Sequence, residues 1–154
     1  MLERFESLDH PAGLAAAKFL RSEALANAAM TRTHLLLADD RIEGFFSLSS
    51  ASVRLSGRSI RSLGLRTAIT TIPAILMTWV ARHRNSEVSG LELVETAFAL
   101  ARESALNVGA AAFVLDPWDE RVAEIWRNEP YPFRDSEQAR KNKPPRLWAP
   151  LDPR

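Results

Sequence analysis

The chain has 154 residues, 46% of them apolar and 25% charged, with a formal net charge of +1. That length suits one domain with a real core, and the absence of cysteine excludes disulfides and thiolate metal sites and suits a reducing cytoplasm. No apolar run approaches the roughly 20 residues of a membrane span, and the charged start MLERFESLDH lacks the apolar stretch of a secretory signal.

Residues 2–6 read as a short first strand. His10-Pro11 opens an Ala- and Leu-rich helix running to about Met30, with Asp9 or His10 near the cap and Pro11 in the first turn. THLLLA at 33–38 reads as a strand, Asp39-Asp40-Arg41 as a tight turn, and 42–53 as the antiparallel partner, so the three make a hairpin. Gly57 and Gly64 interrupt the next stretch, which has room for a short helix at 59–65.

Pro73 opens a strand at 74–82 whose ILMTWV centre reads as buried. A polar loop at 83–88 leads into a helix at 89–107, with Leu91, Val94, Phe98, Ala101 and Ala105 on one stripe. Gly109 marks its exit, and 110–115 is a short apolar strand. Asp116-Pro117 then reads as cap and first residue of a helix reaching Arg127. In the Pro-rich remainder, Phe133 and residues 146–149 read as closing strands, and Arg140, Lys141 and Lys143 as a solvated, mobile end.

Charge is unevenly distributed. Residues 44–86 contain no Asp or Glu but hold Arg54, Arg58, Arg61, Arg66, Arg82 and Arg84, whereas acids crowd 87–137. The arginines either form a phosphate-attracting face or simply solvate the surface. The three histidines have no metal-ligand spacing. His34 reads as structural, whereas His83, beside the polar loop, is a candidate to take a proton from an ammonium group. Glu43, flanked by apolar residues, is the acid that strand alternation directs toward a cleft.

The unit at 73–116 is a strand–loop–helix–strand crossover whose helix N-terminus suits a phosphate. Three stretches give it a resemblance: GFFSLS at 44–49, IPAIL at 72–76 leading to Val80-Ala81, and Gly90-Leu91 opening the helix. In their order and spacing they resemble the GNAT acetyltransferases, particularly those acting as toxins in bacterial toxin–antitoxin pairs. The resemblance implies a single α/β domain over 1–154, with a mixed, mostly antiparallel central sheet flanked by helices. It implies acetyl-coenzyme A as cofactor and an amine as acetyl acceptor, charged tRNA among the candidates, with an antitoxin and a second copy of the chain as partners.

By the same resemblance, Val80, Ala81 and Arg82 would pair through their backbone with the pantetheine arm, and Ser89, Gly90, Leu91 and Glu92 would meet the pyrophosphate. The usual loop reads Gln/Arg-x-x-Gly-x-Gly/Ala; here it is Glu87-Val88-Ser89-Gly90-Leu91-Glu92. Ser89 and Glu92 also fit a capping box, so the segment is either a capped helix start or a phosphate loop. Such toxins commonly carry a Tyr in Phe-Tyr-x-x-x-Gly-Phe to protonate the leaving thiolate. The matching segment is Ile125-Trp126-Arg127-Asn128-Glu129-Pro130-Tyr131, with Trp126 at the Tyr position and Tyr131 the only tyrosine. An indole N–H donates a hydrogen bond but is not a titratable acid. A tyrosine acid must therefore be Tyr131, which otherwise packs at a turn between two prolines, and Trp126 either has a role in the site or is a core aromatic on an apolar helix face.

Overall fold

The computed structural model describes residues 2–128 and 130–152, with Glu3 described by its backbone alone. Its elements are a 3-10 turn at Leu2–Arg4, α1 at Pro11–Ser22, β1 at Arg32–Ala38, β2 at Arg41–Arg54, α2 at Gly57–Ser62 and β3 at Thr71–Arg82. They are followed by α3 at Gly90–Val108, β4 at Ala112–Leu115, α4 at Glu120–Arg127, β5 at Arg134–Asp135 and β6 at Leu147–Pro150. The strands form one six-stranded sheet in the order β1-β2-β3-β4-β6-β5, so the fold is α/β with a mixed, mostly antiparallel sheet and flanking helices. The chain divides into two compact units, Met1–Ser49 with Met77–Ala97, and Ser50–Leu76 with Phe98–Arg154.

In the first unit, Phe5, Phe19, Leu20, Ile42, Phe45 and Ala81 form one buried cluster. The segment at 2–6 is not a strand: it starts as a 3-10 turn and sinks Phe5 edge-on against Phe45. Helix α1 is capped by His10, whose side chain accepts from Ala12 N–H. It ends at Ser22, well short of Met30, because the apolar stripe runs out. Ala24 is the last buried residue, while Leu25 and Met30 are 82% and 71% exposed, so no face remains to hold a longer helix against the sheet.

The hairpin forms as its sequence suggests, with Ala38 opposite Arg41 and Asp39 at φ 51°. Its register slips once, because Leu36 faces Gly44 while Leu37 faces Ile42. Glu43 is therefore the extra residue of a β-bulge, a device that re-aims a side chain. Across from it, a Cβ on Gly44 would lie 2.9 Å from Leu93 and 3.1 Å from the Ala81 carbonyl. The glycine is what lets α3 approach the sheet.

In the second unit, Val53, Leu55, Ile60, Leu63, Ile72, Ala74, Ala112, Val114 and Trp148 share a core. Helix α2 starts earlier than the sequence suggests, at Gly57, because Ser56 caps it through Ser59 N–H. The buried stripe of α3 is Leu93, Val94, Ala97 and Ala101, so Leu91, Phe98 and Ala105 lie at its margins. Gly109, at φ 76°, ends it in the left-handed conformation.

Helix α4 is capped by Asp119, which accepts from Val122 N–H, rather than by Asp116. Asp116 is engaged elsewhere, by two bonds of 2.8 and 2.7 Å from the Arg146 guanidinium. The basic tail is tied down as well. Arg140 donates to the Pro117 and Pro144 carbonyls and Lys143 to that of Trp118. Phe133 is buried just ahead of β5. Among the described residues, no helix is long and apolar enough to cross a membrane.

Candidate functional site

The end of β3, the loop at 83–89 and the start of α3 all lie in the first unit. Val80 and Arg82 are half-buried and Ala81 is buried. The loop satisfies most of its own amides. His83 N–H donates to the Glu43 carbonyl at 2.7 Å, Arg84 N–H to the Glu6 carbonyl at 2.8 Å and Ser86 N–H to the His83 carbonyl at 3.0 Å. Asn85 N–H donates to His83 Nδ1 and Val88 N–H to Ser86 Oγ.

The capping box is formed. Ser89 N–H donates to Glu92 Oε2 at 2.7 Å, and Glu92 N–H donates to Ser89 Oγ at 3.1 Å. These bonds, with the Ser89 backbone N–H foremost, hold the Glu92 carboxyl below its ordinary range, so it is ionised at neutral pH. Yet the box uses only two of the amides at this helix end. Among the described residues, the N–H groups of Gly90 and Leu91 have no partner. The sequence posed cap and phosphate loop as alternatives; the geometry has a cap with two amides left over.

The three basic residues beside the loop are not equivalent. Arg84 is paired with Glu6 at 3.3 Å and Asp9 at 3.0 Å. Arg82 donates to the Ser86 carbonyl at 3.3 Å and, among the described residues, forms no ion pair, so its charge remains available. His83 uses Nδ1 as an acceptor, which leaves the neutral ring's proton on Nε2, a donor rather than a base. It packs edge-on against Phe5 and, with Arg4, Asp40, Arg41 and Ile42, lines an open cavity of about 540 Å³.

Glu43 is only 2% exposed. Its Oε1 accepts from Arg41 Nε at 2.5 Å, while Oε2 is buried with no hydrogen-bond partner among the described residues. Ser86 Oγ, which accepts from Val88 N–H, lies beside the carboxylate. That hydroxyl first, then Arg41, holds the Glu43 carboxyl below its ordinary range against the opposing effect of burial. Glu43 thus holds the loop through its carbonyl at His83 N–H, with its carboxylate buried next to Ser86. An acid within IEGFF was the visible sequence signal; nothing in the sequence singled out Ser86.

Trp126 and Tyr131 lie in the second unit. Trp126 is half-buried on α4, its ring 4.7 Å from Tyr131 and 6.0 Å from Phe133 in edge-on packing. Tyr131 N–H donates to the Asn128 carbonyl, which fixes the turn between Pro130 and Pro132, while Glu129 lies outside the described residues. The structure thus brings the two candidate donors together. His34 stacks on Phe46, and its pKa is lowered by burial, then by Arg32. Arg54, Arg58, Arg61 and Arg66 are exposed in the second unit and form no ion pair among the described residues.

The fold is that of the GNAT toxins. AtaT in complex with acetyl-methionyl-tRNAfMet matches with a TM-score of 0.75 at 18% identity, over 97% of this chain and 87% of that one. A Tyr-to-Phe mutant of KacT matches with a TM-score of 0.76 at 16% identity, over 98% and 88%. AtaTR bound with acetyl-CoA gives 0.72 at 16% identity, over 98% and 87%. No family profile and no curated protein matches the chain.

Proposed function

We propose that this chain is an acetyl-CoA-dependent N-acetyltransferase acting on an amine in the cytoplasm. The observation that carries the reading is the pair of unpartnered amides, Gly90 and Leu91, at the start of α3. Helix N-terminal amides aimed at one anion suit a pyrophosphate, and Arg82 supplies a cation that forms no ion pair among the described residues. The fit has one opposing feature. The Glu92 carboxylate repels a phosphate by about 1 kcal/mol under water-like screening, so binding should be weaker than in a loop with a small residue there.

The cofactor's contribution would be an activated acetyl thioester. The chain's part would be to hold it along the backbone of Val80, Ala81 and Arg82 and anchor its phosphates at Gly90 and Leu91; the resemblance alone assigns the proton for the departing sulfur to the Tyr131 hydroxyl. A thiol has a pKa near 8.5, so that proton assists the reaction rather than enabling it, by typically 10²–10⁴-fold. The tRNA held by AtaT and the exposed arginines of residues 54–66 support the amino group of a charged tRNA as acceptor. The antitoxin AtaR bound to AtaT supports an antitoxin partner here.

Thiol release from acetyl-CoA, assayed with charged tRNA and simple amines, tests the reading. We expect slow turnover that falls at least tenfold in Tyr131→Phe and rises in Trp126→Tyr. Trp126 at the usual Tyr position favours a second reading, a binding module that keeps the fold without the chemistry. Under that reading acetyl-CoA still raises the melting temperature, by the equivalent of about 2.7 kcal/mol at 100 times its dissociation constant, while all three proteins release no thiol.

A further inference from the structure

The open cavity lined by His83 lies wholly in the first unit. Three separate stretches build its wall: Arg4 and Phe5 at the 3-10 turn, Asp40, Arg41 and Ile42 at the hairpin, and His83 after β3. Hydrogen-bond donors dominate that wall. Arg4 is exposed and forms no ion pair among the described residues. Arg41 spends Nε on the buried Glu43 carboxylate, which leaves its terminal N–H groups. His83 Nδ1 accepts from Asn85 N–H, so the neutral ring keeps a donor at Nε2. Glu6 and Asp9 are already paired with Arg84, and Asp40 is the one carboxylate among the lining residues. Phe5 and Ile42 give the cavity an apolar floor.

We infer that this cavity binds the phosphate monoester group of a small organic molecule. Two guanidiniums and an imidazole N–H match an oxyanion that accepts at several oxygens. At about 540 Å³ the cavity is larger than a bare phosphate needs and falls in the usual range of small-molecule sites. The remaining space suits an organic body against Phe5 and Ile42. Asp40 and the pairing of Arg41 with Glu43 keep the net charge of the wall small, so affinity is modest and rests on charge-assisted hydrogen bonds. The phosphate has two sources: a free phosphorylated metabolite, or the 3′-phosphate of coenzyme A, whose proposed path along β3 ends one residue before His83. The site itself does not depend on acetyl transfer.

Nuclear magnetic resonance of the full chain, titrated with inorganic phosphate and with adenosine 3′-monophosphate at fixed ionic strength, tests the inference. Saturable shifts are expected at residues 4–5, 40–42 and 83, with the nucleotide the tighter ligand. Arg4→Gln should weaken binding about tenfold, as loss of a bond to a charged group does. Asp40→Asn should tighten it about fivefold by removing a like charge. Both positions are exposed, so the melting curves should not change; should Arg4→Gln not fold, Asp40→Asn decides alone. Calorimetry with coenzyme A and dephospho-coenzyme A separates the sources. A preference for coenzyme A that disappears in Arg4→Gln assigns the cofactor's own phosphate, and its absence assigns a free one. The inference is overturned by a titration without saturable shifts, by shifts centred on Arg54, Arg58, Arg61 and Arg66 instead, or by weaker binding in Asp40→Asn, which would mark a ligand held through a cation.

Discussion

Glu43 shows how one buried side chain can hold a loop from beneath. The bulge turns it inward, and from there its carboxylate meets Arg41 and the Ser86 hydroxyl while its carbonyl takes His83 N–H. Glu43→Gln keeps the shape and removes the charge, so the amides of residues 83–88 should exchange hydrogen faster while those of α1 do not. Because folding lowers this carboxyl's pKa, its contribution to stability is present above the ordinary carboxylate value. It is lost as pH falls through the lowered folded value. Urea unfolding across the acid range should therefore show a shallower loss of stability in Glu43→Gln; an unchanged acid limb would mean the carboxylate contributes nothing. At this scale, Ser-x-x-Glu was legible because its partners are three residues apart. The bond from His83 N–H to the Glu43 carbonyl was not, because its partners meet only through the sheet.

At the scale of elements, the main strands and helices were legible; the misreadings are the strand expected at residues 2–6, which starts as a 3-10 turn, and the helix ends. Asp116-Pro117 has the right chemistry for a cap, but Asp119 takes the role because Arg146, far along the chain, claims Asp116. Asp119→Ala should accordingly cost about 1 kcal/mol, as a lost cap does, and uncouple α4 in circular dichroism melts; an unchanged melt would remove Asp119 from the cap. The close approach of α3 to β2 gives another prediction. A methyl at Gly44 meets Leu93 and the Ala81 backbone, so Gly44→Ala should destabilise by about 1–3 kcal/mol, the cost of overpacking a tight contact. Equal or greater stability in denaturant titration would show that the helix can move away freely. The length of α1 was illegible for a different reason: Ala and Leu favour helix locally, but only burial of one face sustains it.

At the scale of the whole molecule, the order of elements carried the fold, which the match to AtaT and KacT structures bears out at 15–18% identity. The linear charge asymmetry was a poorer guide. Of the arginines it grouped, Arg84 is neutralised by Glu6 and Asp9, whereas Arg54, Arg58, Arg61 and Arg66 are exposed without an ion pair among the described residues. The cofactor claim therefore rests on two backbone amides rather than on net charge, and Gly90 makes it testable. Proline is well tolerated at the first position of a helix, and the preceding cap residue favours the extended backbone that proline requires. Gly90→Pro thus deletes one of the two amides and leaves the helix in place, while Gly90→Ala keeps the amide and adds a methyl group. The decisive measurement is calorimetric titration of wild type, Gly90→Ala and Gly90→Pro with acetyl-CoA. Losing a hydrogen bond to a charged group costs about 1.5–3 kcal/mol. Wild type and Gly90→Ala should therefore bind, with Gly90→Pro weakened at least tenfold at unchanged melting temperature. Binding by Gly90→Pro as tight as that of wild type, or no heat from wild type at all, would contradict the assignment of this helix end as the cofactor's anchor.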